Sequence, residues 1–195
     1  NQVLFYNGGN SGVQEGQATL TGYMLFKRFN RSVSLTNPGV ASQFRPSIIF
    51  RLADFYLMYA EAANEVNPND VRVLKYLNLV RERAGLPGVE TLNPAIRGNQ
   101  ELQRAAIQRE RQVELATEGQ RYFDVRRWMI ADKNGEGRQN GYAHGMNVRG
   151  EPNDIDDFNR VVEASQIVFN RKMYLYPMPD SEMRKTKNLV QNPGW

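Results

Sequence analysis

Glu110, Glu114 and Glu118 recur every four residues in an arginine-rich stretch, a spacing that stacks three carboxylates along one face of a helix. Glycoside hydrolysis uses two carboxylates about 5–10 Å apart on either side of the scissile bond. It also needs their pKa values driven apart, so that one is protonated while the other is ionised. Arg109, Arg111 and Arg121 stand before, between and after the glutamates, and a neighbouring guanidinium holds a carboxylate ionised. The row therefore reads as a structural ion-pair network of Glu110, Glu114, Glu118, Arg121, Asp124 and Arg127, closed under Tyr122, Phe123 and Trp128, with no catalytic residue.

The other chemistry-bearing residues are sparse. His144 is the single histidine and cysteine is absent, so a zinc site, a thiolate ligand and a cysteine nucleophile are all excluded. The helices lack the Glu-x-x-His pairs of a di-iron centre. Asp154, Asp156 and Asp157 follow one another closely, but without the central glycine and distal glutamate of a calcium loop they read as a solvated acidic turn. No phosphate loop and no Gly-x-Ser-x-Gly elbow is present, and no metal or cofactor is expected. Sugar binding asks for flat apolar rings beside planar hydrogen-bonding groups. Tyr142, His144 and Asn147 offer that mixture, with Asn134, Asn140 and Asn153 nearby, and Phe5, Tyr6 and Asn7 offer it near the start. Local packing is the competing explanation for each of these aromatics.

These residues need elements to hold them. Leu52, Phe55, Tyr56, Tyr59, Ala60 and Ala63 repeat at helical spacing, which predicts a helix over 51–66 stopped by Asn67-Pro68. A second helix over 71–84, capped by Asp70 or Asn69, ends at Gly85-Leu86-Pro87. The pair makes an antiparallel hairpin of about the 34 residues of a tetratricopeptide unit. Asn99 caps a third helix over 100–117, and Gly119 permits a left-handed break before a fourth that runs to Trp128. Residues 132–157 are rich in Gly and Asn and read as a long loop, 22–29 as a short strand, 166–176 as an extended pair, and 179–182 as a one-turn helix capped by Asp180 or Ser181. The expected fold is mainly α: a tetratricopeptide-like hairpin, further helices, and a loop-rich, partly extended remainder, in one domain over 1–195.

Net charge is +4, but Arg81-Glu82-Arg83 and Arg109-Glu110-Arg111 set basic beside acidic residues. Only Arg184, Lys185 and Lys187 form an unbalanced cluster, too small for a phosphate-tracking stripe, so nucleic acid is not an expected partner. No apolar run approaches the ~20 residues of a membrane span.

The string from Glu110 to Trp128 resembles the ERxxELxxEGxRxxDxRRW signature of the SusD/RagB family. Three further blocks match in the same order: Arg51 to Glu65, Val80 to Pro87, and Leu175 to Pro179, the last followed by the terminal Gln191-Asn192-Pro193-Gly194-Trp195. The resemblance runs from about Gly22 to Trp195 and weakens between Asp132 and Glu163. It implies the C-terminal part of a non-catalytic, surface-exposed outer-membrane lipoprotein of the Bacteroidetes type that captures nutrients. Such a protein holds an oligosaccharide, or less often a peptide, over a SusC-like TonB-dependent transporter, and meets the membrane only through an N-terminal lipid upstream of Asn1. The resemblance implies a ligand arc built mostly from segments preceding this chain, so it assigns no binding residue here. The alternatives are a helical-repeat module that binds proteins and a glycan-cleaving enzyme using Glu110 to Glu118. The hairpin is expected to leave an apolar face uncovered or covered by self-association.

Overall fold

The structure is a computed structural model and describes residues 19, 21–23, 25, 27, 30, 48–133 and 141–195. The expected strand over 22–29 falls largely outside them, as do Phe5, Tyr6, Asn7, Asn134 and Asn140. Two compact units divide the chain, one over Arg45–Arg127 and the other over Trp128–Trp195 together with Asn1–Phe44.

In the first unit, helix α1 (Leu52–Val66) buries Ala53, Leu57, Ala60 and Asn64, which fall four, three and four residues apart and line one stripe. Helix α2 (Val71–Arg83) answers with Val73, Leu77 and Val80 at the same spacing. The two form the expected antiparallel hairpin, and the alanines of α1 let the backbones approach. Asp70 is the cap of α2, its Oδ1 accepting from the Arg72 amide at 2.9 Å. The helix ends in a left-handed Gly85 at φ +76°, with the Leu86 amide returned to the Arg81 carbonyl at 2.9 Å. A short helix, α3 (Val89–Leu92), and a 3-10 turn (Pro94–Ile96) lead to α4 (Gln100–Glu114), capped by the Asn99 side chain. Leu57, Leu77, Ile107 and Leu115 meet between α1, α2 and α4 as one core. Tyr76 closes it from outside, with ring centroids 5.2 Å from Tyr56 and 4.8 Å from Tyr59.

Helix α4 stops at Glu114, short of the expected Thr117, because Thr117 itself takes the left-handed conformation at φ +67°. Gly119 takes it too, at φ +87°, and α5 (Gln120–Arg127) follows. On the hairpin Leu52, Phe55, Tyr59, Val66 and Val71 are all exposed.

The second unit corrects the expected loop over 132–157. It contains strand β1 (Gly141–Met146), which pairs antiparallel with β2 (Val161–Ile167), and helix α6 (Ile155–Asn159) begins within it. The glycines that suggested a loop are tolerated here. A Cβ on Gly145 would lie 2.5 Å from Thr21 Cα, so the bare glycine admits the neighbouring chain, and the Met146 amide donates to the Thr21 carbonyl at 2.9 Å. A second correction concerns 166–176: β2 ends at Ile167, and Arg171–Tyr174 form a 3-10 turn that tucks the buried Phe169 against Tyr174. Helix α7 (Asp180–Met183) is present, but it follows Pro179 without a side-chain cap from Asp180 or Ser181.

The Asp70 cap carries a pH test. Hydrogen bonds from the Arg72 side chain, then from its backbone amide, hold the Asp70 carboxyl down to about 2. A depressed folded-state value means that the cap is fully present above the ordinary aspartate range near about 3.9 and is lost as pH falls through about 2. The Arg72 amide resonance should therefore titrate near pH 2 and not near pH 4. Asp70→Asn should abolish that titration while keeping the helix.

Candidate functional site

Helices α1 and α4 pack in antiparallel register, with Glu118 of the expected row beyond the end of α4. At one end Arg51, the residue before α1, spreads a single guanidinium over two glutamates. Its Nη1 donates to Glu114 Oε1 at 2.6 Å, its Nε to Glu118 Oε2 at 2.7 Å, and its Nη2 to the Glu114 carbonyl at 2.6 Å. One turn further, Arg111 Nη1 donates to Asp54 Oδ1 at 3.0 Å. At the far end Arg104 grips Glu65 with a two-pronged contact at 2.7 and 2.6 Å, and Asn64 and Gln100 exchange amide bonds with each other's main chain. The Arg104 hydrogen bond holds the Glu65 carboxyl below its ordinary range, and bonding to Glu118, then Glu114, raises the pKa of Arg51.

The deepest member is Arg111. Its side chain is 3% exposed, and both partner carboxylates, Asp54 and Asp124, are 4% exposed. Asp124 arrives from α5, accepting from Arg111 Nε and Nη2 at 2.9 and 3.1 Å. Arg127 then donates to Asp124 at 3.0 Å and reaches across to Glu61 on α1 at 2.6 Å. From α2, Arg81 donates to Glu110 Oε2 at 2.8 Å and Arg83 to Glu114 Oε1 at 2.6 Å.

Glu110, Glu114, Glu118, Asp124 and Arg127 are thus drawn into charged contacts, and Arg51, Arg81 and Arg83 join Arg111 and Arg127 as the cations. Asp124 carries the guanidinium groups of both Arg111 and Arg127, and Arg121 is half-buried on α5. Of the expected aromatic cover, Phe123 is exposed, while Tyr122 stacks on Arg126 with 3.5 Å from its ring centroid to the guanidinium carbon. Arg51, Asp54, Glu61, Arg81 and Arg83 were missed because each lies about 30 to 70 residues away in sequence. One signal was available: Asp54 sits between Ala53 and Leu57 on a mostly apolar stripe, and a charge there needs a partner. With Glu110, Glu114 and Glu118 each under a guanidinium, the arrangement cross-links helices.

Tyr142 and His144 stand exposed on β1, opposite Gln166 and Glu163 on β2, with a bulge between Ala143 and His144. Asn147 lies just past the strand. Its Nδ2 donates to both oxygens of Asp157 at 3.1 and 3.2 Å, and Asp157 also accepts from the Glu151 amide at 2.8 Å. That amide bond, the Asn147 side chain and Arg160 keep the Asp157 carboxyl below its ordinary range. Asn147 therefore holds a turn. Asp154, too, is committed, accepting from the Asp156 and Asp157 amides as the cap of α6. Among the described residues no cluster of His, Cys, Asp and Glu is arranged to hold a metal.

The SusD family model matches residues 1–195. The chain belongs to the SusD family. Two SusD-like proteins of Formosa agariphila are similar to it: P2 is 31% identical over 76% of this chain and 26% of its own length, and P25 is 45% identical over 43% of this chain and 15% of its own. A solved SusD-like protein from Bacteroides fragilis matches 76% of this chain and 26% of its own, at 32% identity and a TM-score of 0.61. The chain spans about a quarter of the length of the SusD-like protein P2 and of that solved chain. The SusD resemblance of the sequence and its mainly helical class both hold.

Removing the Arg111 charge leaves the buried Asp54 without its guanidinium and Asp124 with Arg127 alone, so Arg111→Met should cost about 3–5 kcal/mol. Arg104→Ala, at the exposed end, should cost less than about 1 kcal/mol. Urea denaturation of the two variants gives the comparison. Equal costs would mean that the network does not depend on its buried centre.

Proposed function

We propose that this chain is part of a non-catalytic, cell-surface glycan-binding component of a SusC/SusD-type uptake system, held at the outer membrane as a lipoprotein and working above a TonB-dependent transporter. The observation that carries the reading is the match of the SusD family model from residue 1 to residue 195. The locked carboxylates support it as well, since a row of glutamates under guanidinium groups suits a scaffold and not bond cleavage. Among the described residues no helix is long and apolar enough to cross a membrane.

Within this chain Tyr142 and His144 are the side chains we assign to a glycan, Tyr142 by stacking and His144 by hydrogen bonding. Asn147 contributes by fixing the turn beside them. A second reading, a helical module that docks protein partners, draws on the exposed Leu52, Phe55 and Tyr59 of α1.

A component that delivers its cargo must release it, so binding should be weak, with a Kd near 10 µM corresponding to about 7 kcal/mol. Calorimetry on the gene's complete product against neutral and acidic oligosaccharides should show micromolar to millimolar binding without turnover, weakened several-fold by Tyr142→Ala. Binding of peptides and of no glycan would remove the sugar assignment and keep the capture role. Reducing ends released by the wild type but not by a folded Glu114→Gln variant would establish an enzyme.

A further inference from the structure

Where α2 begins, a cleft of about 390 Å³ opens within the 45–127 unit, a size in the range of small-molecule sites. Pro68, Val71 and Leu74 give it an apolar strip. Several of its polar groups are already spoken for. Asn78 accepts from the Val89 amide at 3.0 Å and donates to Glu90 at 2.8 Å, Glu90 faces Arg97 at 3.6 Å, and Asp70 is bound by Arg72 at 2.6 Å.

Two exposed polar groups are left over, beside a buried one that solvent does not reach. Lys75 is exposed on the rim, lies 5.8 Å from the Tyr76 ring centroid, and has no carboxylate partner among the described residues. The Asn69 carboxamide makes no hydrogen bond among them either. Gln103 is wholly buried in the cleft wall, and its Nε2 donates to the Pro68 and Ile96 carbonyls at 3.1 and 3.0 Å while its Oε1 has no donor. Buried acceptors without a donor are uncommon in native proteins. Gly98 is what lets the wall close: it has φ +70°, and a Cβ there would stand 2.4 Å from Asn69 Oδ1.

A ligand that answers Lys75 and Asn69 must bring an anionic acceptor for the one, a hydroxyl for the other, and an apolar face for Pro68, Val71 and Leu74. A neutral sugar leaves Lys75 unanswered, and a simple carboxylate or phosphate has no ring face. We infer that this cleft is a subsite for an acidic sugar unit, a uronate whose carboxylate sits on the Lys75 ammonium and whose hydroxyls meet Asn69. The inference rests on the glycan-binding reading and adds a charge preference to it.

The test is calorimetry on the gene's complete product with trigalacturonate and with its fully methyl-esterified form, which keeps the rings and removes the charge. The acid should bind at least about tenfold more tightly than the ester, as expected for a charge-assisted contact. Lys75→Met, an exposed position, should lower the acid to the affinity of the ester, and Lys75→Arg should recover most of the difference. Added salt should weaken the acid alone. Equal binding of acid and ester, or full acid affinity in Lys75→Met, would overturn the subsite. Binding of neutral oligosaccharides with none of the uronate would overturn it while the glycan reading stood, whereas no binding of any carbohydrate would end both. A peptide with a free terminal carboxylate that binds in a Lys75-dependent manner, where the uronate does not, would replace the sugar with a peptide.

Discussion

One guanidinium, that of Arg111, sets the terms for the helical unit. It is almost wholly removed from water and lies between Asp54 of α1 and Asp124 of α5, so three helices share a charge that none can leave unpaired. Desolvating three ionised groups costs several kcal/mol each, and their mutual attraction together with the hydrogen bonds offsets that only while all three stay in place. Everything else in the unit accommodates this. The apolar stripes of α1, α2 and α4 pack around it, Thr117 and Gly119 turn the chain so that α5 can deliver Asp124, and Arg51 and Arg104 fasten the two ends of the α1–α4 contact.

The helices were legible in the sequence because their signals are local. Apolar spacing, Asn67-Pro68, the Asp70 and Asn99 caps and the Gly85 terminus each act within a few residues, and α1, α2 and α4 lie where those signals put them. The partners of the charges were not legible. Glu114 could as well have met Arg109 or Arg121 on sequence grounds, and only tertiary packing brings it Arg51 from 63 residues away. The β1–β2 pair was hidden for a related reason: Gly141 and Gly145 lower strand propensity, and what admits Gly145 to a strand is the backbone of Thr21, a contact invisible to any local window. The cleft at the start of α2 was likewise out of reach, since it is formed by residues from four separate segments.

Charged residues do two different things in this protein. In the 45–127 unit the carboxylates of α4 are spent on holding helices, while at the cleft rim Lys75 has been left without a carboxylate. In the other unit Asp154 and Asp157 are taken up by backbone amides and by Asn147, which shapes the turn behind β1 and leaves Tyr142 and His144 at the surface. Groups with closed hydrogen bonding build the frame, and groups without it are where a ligand has something to gain.

The ladder of ion pairs between α1 and α4 also bears on how the helices find each other. An apolar stripe repeating every three to four residues looks much the same after a slide of one turn, so burial alone discriminates poorly between neighbouring alignments. A slide of α1 by one turn would set Arg111 against Phe50 or Met58 in place of Asp54, and would strand Asp54 without its guanidinium. The misaligned pair would bury much the same apolar area and still be rejected, because a lone interior charge is far more costly than an imperfect methyl contact. The buried arginine thus works as an indexing pin, which permits a core of interchangeable aliphatic side chains to settle into a single alignment.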